Sequence, residues 1–239
     1  MQIAILAIAG VLTGSTGLYL ESVLIQTRIE RADSGLGPLS SLVPLAGSVL
    51  QRPQPVPEGD QIERSRGLPF WLQALVLQVT LGVLFVLFGV KFQHHTTHLV
   101  LACVYTALLF EMAIVDFHYR LVLNILSYPS AVIATAGAGL WSGIGFGSSL
   151  LGGVIAMVVF GLIELFGRGA MGRGDTKLAT VIGLMRGFPA VWQAMIIGIF
   201  AGGLMAVGLL LSGQSRRSAF AYGPALAIGA VASFFVGHI

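Results

Sequence analysis

The chain has 239 residues, of which 56% are hydrophobic and only 10% charged. Ordinary soluble domains carry about 25% charged residues, so a water-soluble protein of this length is excluded. The formal net charge of +3 lies in short stretches between apolar runs and points to no nucleic-acid partner, and the single cysteine, Cys103, excludes an intramolecular disulfide and a multi-cysteine zinc site.

Several apolar runs are long enough to cross a bilayer, which takes roughly 20 residues each. The sequence therefore predicts an all-α fold: a polytopic transmembrane helical bundle of about eight membrane segments, one of them short or broken. Residues 1–239 are expected to form one membrane-embedded domain. The 32 glycines suit close helix packing in lipid, where small residues let backbones approach.

Span one is expected over residues 3–25, with Gly10, Gly14, Ser15 and Gly17 as a small-residue face and one acid, Glu21. No basic n-region precedes it, so it reads as a span and not as a cleavable signal peptide. Residues 27–67 form a long polar loop with five arginines, five acids and five prolines. Span two is expected over 68–90, entered through the interfacial anchor Pro69-Phe70-Trp71. The turn 91–98 carries His94, His95 and His98; with no carboxylate or cysteine beside them, they read as a polar turn and not as a metal site.

Span three is expected over 99–115 and ends at Asp116; the polar turn 117–121 leads to span four, 122–141, with Pro129 inside it. Span five is expected over 149–166. The glycine-rich, charged stretch 167–177 follows as a loop holding Asp175. A short apolar helix is expected over 178–185, then span seven over 190–211 and span eight over 220–236.

The basic residues test this map. With the N-terminus outside, the inside loops hold Arg28, Arg31, Arg52, Arg64, Arg66, Arg120, Arg168, Arg173, Lys177, Arg216 and Arg217. Only Lys91 and Arg186 fall outside. Such a bias marks the cytoplasmic side, and it puts Asp116 and Asp175 on that side together, with 27–67 as a cytoplasmic loop.

Acids at membrane depth are costly and are functional candidates by default. Glu21 and Glu164 each lie near a basic loop and read as snorkelling surface residues. Glu111 is deeper, but five residues from Asp116 it falls on a different helix face, and it stands only as a supporting candidate. Asp116 and Asp175 are each expected where a helix meets water. Gly172 and Gly174 are expected to give the loop backbone freedom and room for a peptide.

Two carboxylates sharing a site cannot both ionise easily, so one keeps a proton. One then acts as base toward water and the other as acid toward a carbonyl and leaving amine. The expected helix ends make Asp175 the base, at the positive end of a helix, with Lys177 and Arg173 adding to that. Asp116, at a negative end, would be the proton carrier. No His-Glu-x-x-His run and no serine nucleophile elbow competes.

At these residues the chain resembles the type IV prepilin peptidases, bacterial Gly-x-Gly-Asp membrane aspartyl proteases. Gly172-Arg173-Gly174-Asp175-Thr176-Lys177-Leu178 is similar to that family's second motif. Asp116-Phe117-His118-Tyr119-Arg120-Leu121 is similar to its first aspartate motif, and Tyr222-Gly223-Pro224-Ala225-Leu226-Ala227 to the stretch before its last span. The resemblance covers residues 100–230. It implies a multi-pass enzyme of the cytoplasmic membrane, with Asp116 and Asp175 catalytic and Gly172, Gly174, Lys177 and Arg120 lining the substrate's path. It implies prepilin or pseudopilin substrates, cut at the cytoplasmic face after a glycine. Proteolysis needs no cofactor or metal. Many members also methylate the new N-terminus with S-adenosylmethionine; the loop 27–67 is where that activity would lie, though it lacks a recognisable cofactor motif and the paired cysteines of some members.

Two other readings stand beside this one. Pro224-Ala225-Leu226 spells the triplet of presenilin and signal-peptide-peptidase proteases, whose aspartates lie deeper within spans. A proton-coupled transporter would also use buried acids and a broken helix, but no internal repeat joins the two halves.

Overall fold

The computed structural model describes residues 70–119, 124–141, 143–166, 172–211 and 222–236, with the isolated positions 5 and 9. Among these residues the regular structure is all helical. Helix α1 spans Phe70–Lys91, α2 Thr96–Tyr119, α3 Asn124–Ala138, α4 Phe146–Phe166, α5 Arg173–Arg186, α6 Val191–Leu211 and α7 Gly223–Val236. Span one, apart from positions 5 and 9, and the loop 27–67 lie outside the described residues.

The chain divides into two units, Ala7–Val83 and Leu84–Ile239 together with Met1–Leu6. In the first unit the described part is chiefly the start of α1, where the Thr80 hydroxyl donates to the Val76 carbonyl at 2.7 Å. The second unit holds everything that follows.

Three segments are long and apolar enough to cross a membrane: Thr96–Asp116, Phe146–Phe166 and Val191–Gly208. A 21-residue helix is about 31 Å long, close to the roughly 30 Å hydrocarbon thickness. Their outer faces carry exposed Val104, Leu150, Val154, Phe200 and Leu204, as lipid contact requires. Helices α5 and α7 have 14 residues each, about 21 Å, too short to cross alone. They are packed between the longer helices: α5 lies mainly on α4 and also meets α3, α6 and α7, while α7 lies on α6 and α2. Leu178, Ala179, Val181, Ile182 and Met185 of α5 are all buried. The short sixth element expected from the sequence is thus an interior helix.

Small residues set these approaches. A Cβ on Gly152 of α4 would lie 2.5 Å from the Gly183 carbonyl oxygen of α5. Beside that crossing the Ser149 hydroxyl donates to the Leu184 carbonyl at 2.7 Å. Gly187 ends α5 with φ +62°, a conformation L side chains rarely adopt, and its N–H donates to the Gly183 carbonyl at 2.8 Å. Gly198 of α6 and Gly229 of α7 meet backbone to backbone in the same manner.

At the α5 C-terminal end an aromatic cluster closes the bundle. Phe88 stacks on Phe235 at 4.8 Å, and His98 stacks on Trp141 at 4.8 Å and on His95 at 5.2 Å. His95 and His98 thus enter aromatic packing, while His94 is exposed. The Tyr105 hydroxyl donates to the Ala134 carbonyl at 3.2 Å, tying α2 to α3.

Candidate active site

Helix α2 does not stop at Asp116. It continues to Tyr119, so the expected turn at 117–119 is one more helical turn, and Asp116 is buried inside the bundle with 5% of its surface exposed. What makes this tolerable comes from the last helix. The backbone N–H of Gly223, the first residue of α7, donates to Asp116 Oδ2 at 2.9 Å. Buried carboxylates need such partners. Only glycine fits there: a Cβ on residue 223 would lie 2.5 Å from Asp116 Oδ2 and 2.9 Å from Cγ.

Asp175 also departs from the expectation. It does not precede a helix on a loop; α5 begins at Arg173, and Asp175 sits in its first turn. Its Oδ2 accepts from the Gly172 N–H at 3.1 Å, satisfying one of the N–H groups left over at a helix start. Gly172 is extended, with φ −88° and ψ 154°, and Gly174 is helical. Neither uses a conformation reserved for glycine, so the predicted backbone freedom is not what these glycines supply. Gly172 is exposed and leaves the approach to Asp175 uncovered by a side chain.

Asp175 is 7% exposed, and its Oδ1 is buried with no hydrogen-bond partner among the described residues. Burial, and next the Asp116 carboxylate, push the Asp175 carboxyl up to about 6. The Gly172 hydrogen bond pulls it down, and Glu164 adds a further push upward. The two aspartates expected to meet are therefore neighbours at one end of the bundle.

The sequence put Asp175 at a positive helix end, and it does sit in the first turn of α5; the α7 N-terminus adds a second positive end, beside Asp116. Asp116 faces the N-terminus of α7, where the dipole is positive and favours the anion. Asp175 is the carboxyl with a raised pKa and an unpartnered oxygen.

Further residues make up the surroundings. Glu164, read from the sequence as a surface residue, is half-buried at the end of α4 and accepts from the Thr176 hydroxyl at 2.7 Å. Tyr222, just before α7, packs its ring on Gly202 of α6, and burial together with the Asp175 charge pushes its phenol upward. Glu111 is half-buried on α2 and makes none of the hydrogen bonds that hold the two aspartates. Lys177 is half-buried one turn into α5, whereas Arg120 lies outside the described residues. The Tyr-Gly-Pro triplet signalled Gly223 and Tyr222 as a motif without giving them a role; Thr176 and Glu164 carried no signal beyond their nearness to Asp175.

The fold and site define a class: a helical bundle with membrane-length spans and a buried pair of acids near one end. Residues 103–207, which include both aspartates, match the model of the type IV leader peptidase family. The chain is also similar to the prepilin leader peptidase/N-methyltransferase of Bacillus subtilis strain 168, 26% identical over 142 residues. That match takes in 57% of this chain and 55% of the relative, so the aligned region spans about half the length of that protein. The resemblance to the prepilin peptidases therefore holds beyond the three motifs. No solved structure matches the chain.

Proposed function

We propose that the chain is a membrane aspartic endopeptidase that removes the leader of type IV prepilins or pseudopilins. It works at the membrane face bearing Asp116 and Asp175, which the arginine and lysine distribution assigns to the cytoplasm. The observation that carries this reading is the pairing of two buried carboxyls, each accepting a backbone N–H at a helix N-terminus, with one oxygen of Asp175 left open.

In this mechanism Asp116, ionised, takes a proton from a water molecule. The resulting hydroxide attacks the scissile carbonyl carbon. Asp175, protonated, donates a hydrogen bond from its carboxyl to the carbonyl oxygen, stabilising the charge that develops there. Collapse of the tetrahedral intermediate breaks the C–N bond, and the proton held by Asp116 passes to the leaving amine. The exposed Gly172 gives the peptide backbone access to Asp175.

The relative's name includes N-methyltransferase, and methylation of the new N-terminus from S-adenosylmethionine is a second activity to be tested with the first. The loop 27–67, where it would lie, is outside the described residues, so no residue is assigned to it.

Purified protein incubated with a prepilin and read by mass spectrometry reports leader removal, and any added methyl group when the donor is supplied. Asp116→Asn and Asp175→Asn should each lower cleavage by at least about a thousandfold, as loss of an essential acid or base does, while the protein still folds. Near-normal cleavage by either variant would overturn the paired-aspartate mechanism.

A further inference from the structure

The proposed chemistry leaves one nearby acid unused. Glu164 ends α4, and its Oε2 receives the Thr176 hydroxyl at 2.7 Å. Thr176 is the residue after Asp175, and its own carbonyl accepts the Thr180 hydroxyl at 2.8 Å. The first turn of α5 is thereby tied to α4 on one side and into its own second turn on the other. We propose that Glu164 is a positioning residue for Asp175, anchored by the Thr176 hydroxyl so that it fixes that turn and places a further negative charge beside the pair.

The charge environment is simple enough to make this legible. Among the described residues, the ionisable groups facing Asp175 are Asp116 from α2, Glu164 from α4 and Tyr222 at the start of α7. Helices α6 and α7 carry no ionisable side chain, and α3 carries only Tyr128, which is exposed. On its own helix the cations nearest in sequence are Arg173 and Lys177. Glu164 therefore adds to the bias that Asp116 creates and keeps the proton on Asp175. The hydroxyl matters because a carboxylate at the end of a lipid-facing helix would otherwise swing toward water, where its charge is screened.

As a role in proteolysis this rests on the reading under Proposed function, but its physical core does not need cleavage to be seen. Infrared titration of the substrate-free protein follows the carboxyl band that disappears in Asp175→Asn. Glu164→Gln keeps an acceptor for Thr176 and removes the charge; it should lower the Asp175 midpoint on the order of half a pH unit, less than the 1–3 units of a direct charge contact. Glu164→Asp should retain most of the original midpoint. Thr176→Val, which releases the carboxylate without removing it, should give a midpoint between the two. In a cleavage assay, the limb of kcat/KM that falls as pH rises should move down in parallel. An unmoved midpoint in both Glu164→Gln and Thr176→Val overturns the inference, whatever the cleavage rate. A moved midpoint in a protein that cuts no prepilin upholds the Glu164 placement and overturns the peptidase reading instead.

Discussion

Asp175→Asn should stabilise this protein, and only at higher pH. The folded Asp175 carboxyl is raised from an ordinary 3.8 to about 6, chiefly by burial and then by Asp116. Between those values the folded chain holds a proton that the unfolded chain has released. Stability therefore declines as pH rises through that window and stays lower above it. The full difference corresponds to about 3 kcal/mol. Asparagine is neutral throughout, its amide oxygen still accepts the Gly172 N–H, and its amide group stands where the protonated acid would put its hydroxyl. Below about pH 4 the two proteins should melt together. By about pH 7 the variant should melt higher, by roughly 6–12 °C on the scaling of globular proteins this size. Thermal unfolding in detergent across this range is the assay. An offset of equal size at pH 4 and pH 8, or none at pH 8, would refute the claim that Asp175 is held against its ionisation.

Two other substitutions probe the scaffold of the site. Gly223→Ala would set a methyl group 2.5 Å from Asp116 Oδ2; it should cost about 1–3 kcal/mol and reduce leader cleavage at least tenfold by displacing Asp116, checked by melting and by single-turnover cleavage. Gly152→Ala would drive a methyl into the Gly183 carbonyl; it should destabilise by a similar about 1–3 kcal/mol, and hydrogen exchange should rise in α4 and α5 before it rises in α6 and α7.

The sequence announced the helices and hid their ends. Apolar runs located every described helix, because lipid imposes a length and a composition on a span. The ends slipped where a polar residue was taken for the start of water. Asp116 was such a residue, yet α2 runs one turn past it, since the Gly223 N–H supplies inside the bundle what water would supply outside. Asp175 was another, placed on a loop although α5 starts before it. The protonation assignment read from the sequence left out one helix end. It weighed each aspartate against the end of its own helix, whereas the nearest dipole to Asp116 belongs to α7, more than a hundred residues along the chain. Glu164 was dismissed because its partner is a hydroxyl on another helix. The nearness of the two aspartates, felt in the push of Asp116 on the Asp175 carboxyl, was expected because the distribution of basic residues put both on one side.

Helix α7 also explains the two exceptions to that record. Lys91 and Arg186 are the basic residues that the topology leaves on the far side. Lys91 Nζ donates to the Phe235 carbonyl at 2.6 Å, and Arg186 Nη2 donates to the Ser233 carbonyl at 3.0 Å, its guanidinium 4.8 Å over the Phe234 ring. Those carbonyls belong to the last turn of α7, where helical partners run out and the dipole is negative. At the opposite end the first N–H of the same helix goes to Asp116. A 14-residue helix too short to reach either membrane surface unaided is thus matched by two cations at its tail and a carboxylate at its head. The exceptional cations are held by this helix and carry no information about which side of the membrane they occupy. The two cations that the sequence map left outside are thus accounted for by one helix end.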